Sequence, residues 1–378
     1  MKQWIHELFA YRRWCWNYGL GLWNDFYEES LIFEDETLRP NGNKVRDFMV
    51  SRKHDWQYLY SSRVLQIAII DLEKAWKNFF NPKMPDHKRP KFKSKRDGRQ
   101  VVHYEKGALS TVIHGFVKLS KTRIILKTDK TPDFVRIVPK LDFYTIEIGY
   151  SIDIPAPSTT TGHRFASIDL GLNNLATVSS NVMAPIIING KPIKSMNAYS
   201  NVLIANIQSI TDGSSHKLRT YYRKRYNKIK DYFHKSSNWL VNKLLDNNID
   251  TLVIGKNDGW KHKSKLKNFV RIPYQLFIDM LTYKCEQSGI NVIMQEESYT
   301  SKSSFYSKDP IPVFGIKNTI EFNGKRIHRG QYKDASGFTL NADLNGSLNI
   351  LRKSAVWTDK LFDDCIKWAK QPMLKYSF

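Results

Sequence analysis

Three short apolar runs constrain this chain more than anything else in it. Phe165–Ile168 in "FASIDL", Thr251–Ile254 in "TLVIG" and Ile290–Met294 in "INVIMQ" have the length and β-branched content of buried strands. Helix-length segments separate them. Residues 214–247 read as a long basic helix or helix pair, and "PYQLFIDMLTYKCEQSG" as a helix that stops at Gly289 in a glycine cap. A strand, a helix and a second strand connect by a right-handed crossover, so "TLVIG" and "INVIMQ" are expected to be parallel neighbours. Their C-terminal ends then share one sheet edge, where α/β proteins build their sites.

Acids collect at that edge. Asp169 ends the first strand, and "ATVSS" begins the next. Glu296 and Glu297 follow the third, and Asp343 opens the helix "NADLNGSLNILRK". Only "TLVIG" ends without one, at Gly255. Singly, each acid has an ordinary explanation. Asp169 before Gly171 suits an Asx-turn, Asp343 a helix N-cap, and the glutamates a solvated strand end. Together, strand–Asp169–strands–helix–strand–helix–strand–Glu297–loop–Asp343 helix is the layout of an RNase H-like sheet in an α/β fold. Sites of that kind hold two Mg²⁺ ions between carboxylates and hydrolyse phosphodiesters. Mg²⁺ takes oxygen ligands and keeps waters, so two or three carboxylates suffice. Parallel strands lie about 4.8 Å apart, so a glutamate one strand outward can reach the place that Gly255 leaves empty. Side chains alternate along a strand, so Glu296 and Glu297 point to opposite sides if the strand continues that far. The expected catalytic and metal-binding residues are therefore Asp169, Glu297 and Asp343, with Glu296 the second choice and Asn345 helping to position the site. Asp258, Asp309 and Asp334 read as ordinary loop acids. His87, His216, His234, His262 and His328 show no paired spacing and are assigned no metal.

The formal net charge of +23 in 378 residues calls for a polyanionic partner, most simply nucleic acid. Two segments carry it. "NPKMPDHKRPKFKSKRDGR" at 81–99 is barred from helix by Pro82, Pro85 and Pro90. Its Lys88, Arg89, Lys91, Phe92, Lys93, Lys95 and Arg96 suit a phosphate backbone with one stacked base. The first half of the 214–247 helix adds Arg219, Arg223, Lys224, Arg225 and Lys228. No run of 18 or more apolar residues suggests a membrane span, and "MKQWIHELFAYRRW" lacks the pattern of a signal peptide. Cys15, Cys285 and Cys365 are too scattered for a disulfide framework or a zinc site, so a reducing cytoplasm is the expected setting. Upstream of the nuclease-like part, Trp16, Leu20 and Trp23 mark one helix. Leu65, Ala68, Ile69, Leu72, Trp76 and Phe79 mark another, with Ala68 offering close approach. "TRIILKTD", "FVRIVPK" and "YTIEIGYSIDI" read as one small antiparallel sheet, and 155–162 as a linker.

Several of these segments resemble the TnpB proteins, transposon-carried RNA-guided DNA endonucleases related to type V CRISPR effectors. "FASIDLGLNNLATVSSN" is similar to their first RuvC motif and "NADLNGSLNI" to their third. "KDYFHKSSNWLVNKLLDNNIDTLVIG" resembles the helix and strand leading to the second. "SSRVLQIAIIDLEKAWKNFF" with "RPKFKSKRD" resembles their N-terminal helical region and basic loop. The resemblance implies an N-terminal helical plus antiparallel β nucleic-acid-binding domain over 1–160, with a helical recognition insert at about 1–100 and a wedge-like β domain at about 101–160. A RuvC-like nuclease domain over 161–378 would follow. It also implies a guide RNA from the transposon end and double-stranded target DNA flanked by a short motif.

Three departures from the family pattern stand out. Gly255 occupies the usual glutamate position. A subset of the wider family has that glutamate relocated just before a Thr-Ser-Lys, as Glu297 precedes Thr300–Lys302 here. Cys-x-x-Cys pairs are absent from 302–341, where Ser303 and Ser304 stand in place of the first, so no zinc knuckle is expected. Met1 falls almost inside the first helix, without the usual preceding strand. The expected function is RNA-guided DNA cleavage. A nuclease-dead RNA-guided DNA-binding repressor, or a truncated and decayed nucleic-acid-binding copy, is the alternative.

Overall fold

A computed structural model of the chain describes residues 2–84, 86–95, 100–140, 143–154, 163–210, 213, 215–256, 272–313, 315, 321–328 and 330–378. It divides into two compact units, Met1–Ile152 and Asp153–Phe378. The expected linker at 155–162 and the acid Asp258 lie outside the described residues.

The first unit begins with helices α1 (Lys2–Ile32), α2 (Gly42–Ser51) and α3 (Ser62–Phe79). The 3.6-residue period of α3 buries Leu65, Ala68, Ile69, Leu72 and Trp76 against Trp16 and Leu20 of α1. Gly19 of α1 permits this packing, since a Cβ there would run into the Ile69 side chain. Five strands follow: β1 (Val102–Glu105), β2 (Phe116–Lys118), β3 (Ile125–Lys127), β4 (Phe134–Pro139) and β5 (Tyr144–Gly149). The single sheet expected here is in fact two. β1, β4 and β5 form an antiparallel sheet in that order, while among the described residues β3 pairs with β2 alone. The alternation of β1, with Val102 and Tyr104 buried, completes the core that Val135 and Ile137 of β4 face. "YSIDI" leaves the sheet because Ser151 turns back to donate to Asp133.

The second unit is built on a six-stranded mixed sheet. Its elements are β6 (Phe165–Leu170), β7 (Asn174–Ser180), β8 (Ile186–Asn189), α4 (Lys191–Gln208), α5 (His216–Asp246), β9 (Thr251–Lys256), α6 (Tyr274–Gln287) and β10 (Asn291–Glu296). A small antiparallel sheet of β11 (Gly324–His328), β12 (Gln331–Asp334) and β13 (Thr339–Asn341) replaces the expected irregular stretch. Then come α7 (Ala342–Lys353), α8 (Leu361–Ala369) and β14 (Leu374–Tyr376). The strand order is β10–β9–β6–β7–β8–β14, with β10, β9 and β6 parallel and β7 antiparallel to its neighbours β6 and β8. The period of two sorts the faces. Ala166, Ile168, Leu170, Leu252 and Ile254 pack with α5 and α6, whereas Phe165, Val253 and Ile293 pack with α7 and α8. Residues 216–246 form one helix rather than two. Sequence patterning misses β8 and α4. β8 is only four residues long, and α4 opens on Pro192 with few charges to mark a polar face.

Candidate active site

Asp169 is the next-to-last residue of β6, one position deeper in the strand than its sequence suggests. It lies on the α7 side, like Phe165 and Ser167. Helix α7 reaches it because of what the helix lacks there: a Cβ on Gly346 would stand 2.5 Å from Asp169 Oδ2. A buried hydroxyl seam sets the same spacing. Ser347 donates to the Ser167 carbonyl at 2.9 Å, Ser167 Oγ returns a bond to the Ser347 carbonyl at 2.7 Å, and Ser179 Oγ joins both hydroxyls at 2.8 and 2.9 Å. The Asp169 carboxyl is pushed well above its ordinary range. Burial is the first cause, and the charges of Glu297 and Asp343 are the next, partly opposed by Arg326.

Gly255 is the fifth residue of β9. Ile168 pairs with Ile254 in the parallel ladder, so Gly255 lies on the same face as Asp169. A Cβ on Gly255 would stand 2.5 Å from Ile350 Cδ1, 3.1 Å from Glu297 Oε2 and 3.2 Å from the Ile168 carbonyl oxygen. The carboxylate one residue beyond β10 therefore borders the space that a side chain at 255 would enter. Glu296 does something else. Its Oε2 takes a 2.6 Å ion pair from Lys353, and its Oε1 accepts from Ser298 N at 2.7 Å. Burial raises the Glu296 carboxyl, but the bonds from Lys353 and Ser298 outweigh it and hold the group below its ordinary value.

Asp343 lies in the first turn of α7. It is not the cap: Asn341 is, accepting from the amides of Asp343 and Leu344. The Asp343 carboxylate is thereby left to face outward from the helix end, one turn from Gly346. Asn174 Nδ2 donates to its Oδ2 at 2.8 Å, and Arg326 Nη2 to its Oδ1 at 3.1 Å. Neither partner is singled out by sequence pattern. Tyr274 anchors the turn after β6 by donating to the Gly171 carbonyl at 3.0 Å.

The segment between Glu297 and Pro312 is tied to α7 by polar side chains. Asn345 accepts from Phe305 N at 3.0 Å and donates to the Ser303 carbonyl at 2.8 Å, so it positions this segment rather than a carboxylate. Asn349 donates to the Thr300 and Ser303 carbonyls. Arg352 donates to the Asp309 carbonyl. Asp309 and Asp334 are buried, which corrects their reading as ordinary loop acids. Asp309 takes the amides of Ser304 and Asn323, and Asp334 takes Phe338 N and the Ser336 hydroxyl. Cys15, Cys285 and Cys365 are each buried in separate places.

The carboxylates at this edge are oxygen donors throughout, the set that a hard cation such as Mg²⁺ prefers. Mutual repulsion on Asp169 is what a cation would relieve. Among the described residues, no three of His, Cys, Asp and Glu converge closely enough to form a ready-made metal cluster.

The basic segments are ordered in different ways. In the first unit, the 88–95 stretch lies along α1. Trp16 Nε1 donates to the Lys91 carbonyl at 3.0 Å, and Asn17 exchanges two bonds with the Lys93 backbone. Lys93 stands over the Trp16 ring and Arg89 over Trp76. Lys88, Arg89, Lys91, Phe92 and Lys95 remain exposed, and Arg96 lies outside the described residues. On α5 in the second unit, Lys224 and Lys228 are exposed while Arg219, Arg223 and Arg225 are half-buried. Arg225 Nε donates to Asn197 of α4 at 2.7 Å. No described helix is long and apolar enough to cross a membrane.

Two family models match the chain. One is described as "Probable transposase" and covers residues 145–261; the other is a "Cas12f1-like, TNB domain" and covers 274–350. The TnpB-like protein ORF457 of Acidianus two-tailed virus is 26% identical over 218 residues, 54% of this chain. The match spans 44% of that curated relative's length. Among solved structures, a Cas12f1–sgRNA–target DNA complex aligns at a TM-score of 0.52 with 14% identity, over 91% of this chain and 82% of that one. At that identity the likeness is one of fold.

Proposed function

This chain belongs to the TnpB family, and from that premise we propose that it is an RNA-guided endonuclease that hydrolyses DNA phosphodiesters at an RNase H-like, RuvC-type site. The observation that carries this reading is the Glu297 carboxylate bordering Gly255 on the face where Asp169 lies. Asp169, Glu297 and Asp343 would hold two Mg²⁺ ions, which when bound activate a water and stabilise the leaving 3′ oxygen.

The chain's own residues perform the remaining work. Gly346 and the Ser167–Ser179–Ser347 seam fix α7 against β6, and so fix Asp343 relative to Asp169. Asn174 orients Asp343 from one side, while Arg326 supplies a positive charge on the other. Asn345 and Asn349 hold the segment that begins with Glu297. The partners are a guide RNA from the transposon end and double-stranded DNA with a short flanking motif. The Cas12f1 structure, a complex with sgRNA and target DNA, supports RNA and DNA as the partner classes. The exposed lysines at 88, 91 and 95 and on α5 suit their phosphates.

The test pairs binding with cutting. Protein loaded with RNA transcribed across the transposon end should cleave a matched target in Mg²⁺. Glu297→Ala should bind guide and target but leave the DNA intact. Cleavage by Glu297→Ala at the wild-type rate would remove Glu297 from the mechanism. Wild-type binding without cleavage would return the nuclease-dead repressor.

A further inference from the structure

Glu297 stands one residue beyond β10, where the ladder to β9 has ended at the pair of Glu296 with Lys256. The sheet no longer fixes the backbone there, so other contacts must set where the carboxylate lies. The turn that follows is strained. Tyr299 has a left-handed φ of 66°, a conformation that a bulky residue keeps only where its surroundings impose it. The turn is also closely placed. Its first residue, Glu297, borders Gly255, and Ser301 Oγ lies 3.8 Å from where a Cβ on Gly346 would stand. That same point is 2.5 Å from Asp169 Oδ2. A shift of the turn therefore changes how Glu297 lies relative to Asp169.

One side chain grips both flanks of Glu297. Lys353, the last residue of α7, sends its ammonium to Glu296 Oε2 at 2.6 Å, the Ser298 carbonyl at 3.1 Å and the Pro312 carbonyl at 3.1 Å. Glu296 Oε1 closes a ring by accepting from Ser298 N at 2.7 Å. An ammonium has three donors, and here each has an acceptor. The Lys353 side chain is only 9% exposed, and a charge that far from water is costly unless it is paired and hydrogen-bonded. A lysine at a helix C-terminus ordinarily serves the last carbonyls of its own helix. The partners of Lys353 all lie outside α7. They tie the residues before and after Glu297 to the helix that carries Asp343.

We propose that Lys353 is the positioning residue for Glu297, fixing that carboxylate relative to Asp169 and Asp343 by binding both of its neighbours. The proposal rests on the nuclease reading above and adds to it the contact that a carboxylate outside the sheet requires. A carboxylate at position 255 would be fixed by the β9 ladder itself, where Gly255 pairs with Gln295. One at position 297 needs a clamp. Lys353 acts through Glu297 and not on the substrate.

The test compares Lys353→Met and Glu296→Gln with wild type in the full chain. Methionine keeps an apolar stem and removes the bonds. An amide at 296 offers one oxygen where the carboxylate serves both Lys353 and Ser298. Mn²⁺ binding, followed by electron paramagnetic resonance of the free ion, is the first readout. Mg²⁺-dependent cleavage by the guide-loaded protein is the second. Lys353→Met should bind Mn²⁺ about tenfold more weakly and cut about 100-fold more slowly, with its affinity for guide RNA unchanged. Glu296→Gln should shift both readouts the same way by less. The double variant should be no worse than Lys353→Met, because a single clamp is lost once. Arg352→Met removes bonds to the Ser304 and Asp309 carbonyls, farther along the same segment, and should leave the Mn²⁺ curve in place. Wild-type Mn²⁺ binding and cleavage by Lys353→Met, or an equal shift in Arg352→Met, would make Lys353 a strut of the fold. Either result overturns the proposal and leaves the nuclease reading intact. If Lys353→Met does not fold, Glu296→Gln decides: a shifted Mn²⁺ curve supports the clamp and an unshifted one refutes it. If wild type binds guide RNA but neither takes up Mn²⁺ nor cuts, the nuclease reading fails and the clamp falls with it.

Discussion

The Oε2 atom of Glu297 lies 3.1 Å from the point where a Cβ on Gly255 would stand. The glycine and the glutamate are thus complementary in space: one strand gives up a side chain where its neighbour brings a carboxylate. Restoring a side chain at 255 should therefore harm rather than help. Gly255→Ala places its methyl against Ile350 and the Ile168 carbonyl as well as Glu297. Overpacking of this kind costs about 1–3 kcal/mol. Thermal unfolding should show that loss, and cleavage by the guide-loaded protein should fall with it. A Gly255→Ala variant as stable and active as wild type would sever the link between the two positions.

Asp169 makes a prediction about pH. Its carboxyl titrates well above its unfolded value because burial and two neighbouring carboxylates oppose its charge. A raised folded pKa means that the folded state keeps a proton which the unfolded chain releases near about pH 4. The stability from that proton is full below about pH 4 and is lost as pH rises through the folded value. Asp169→Asn removes this loss. In chelator at neutral pH the variant should be more stable than wild type, on the order of 1 kcal/mol, and the gap should close toward acid. Added Mg²⁺ should stabilise wild type and leave the variant unmoved. Parallel melting curves across pH for the two proteins would refute the repulsion.

Contact between α7 and the sheet gives a sharper geometric test. A methyl on Gly346 would fall 2.5 Å from Asp169 Oδ2, so Gly346→Ala must move either the helix or the carboxylate. A displacement of about 1 Å at a reacting centre can cost on the order of 100-fold in rate. Gly346→Ala should fold, bind guide and target, and cleave about 100-fold more slowly. Ser347→Ala adds no bulk and removes one hydroxyl from a seam whose other members remain paired. It should cost about 1 kcal/mol and keep most of the activity. Equal rates for the two variants would show that α7 does not set the site.

These residues divide by how far their signal travels along the chain. Asp169, Glu297 and Asp343 are legible because each ends or opens an element whose periodicity is strong, and parallel β6, β9 and β10 bring such ends to one edge. The preference for Glu297 over Glu296 comes from its place before Thr300–Lys302 and from alternation, and in the structure Glu296 is the one that pairs with Lys353. Arg326 and Asn174 are illegible for the opposite reason. They reach Asp343 from 17 and 169 positions away, through a small sheet and a turn that sequence patterning does not resolve. Asp309 and Asp334 look solvated because their partners are largely backbone amides, which every sequence has. In the first unit, apolar spacing reveals α3, but nothing in it separates β3 from β4 into different sheets.

The basic segment yields the last prediction, which distinguishes charge from placement. Lys88, Lys91 and Lys95 are exposed, and the backbone beneath them is held to α1 through Trp16 and Asn17. If all three reach phosphates, each contributes about 0.7 to the slope of log K against log salt on a single strand. Lys88→Ala/Lys91→Ala/Lys95→Ala should therefore flatten the slope by about 2 and weaken binding most at low salt. Asn17→Leu keeps every charge but removes both bonds to the Lys93 backbone. Its affinity should drop while its slope holds, because the same phosphates are met by a segment that must first be ordered. Salt titrations of the two variants separate the effects. A slope change in Asn17→Leu equal to that of the triple variant would mean that the helix only buries the segment and does not preorganise it.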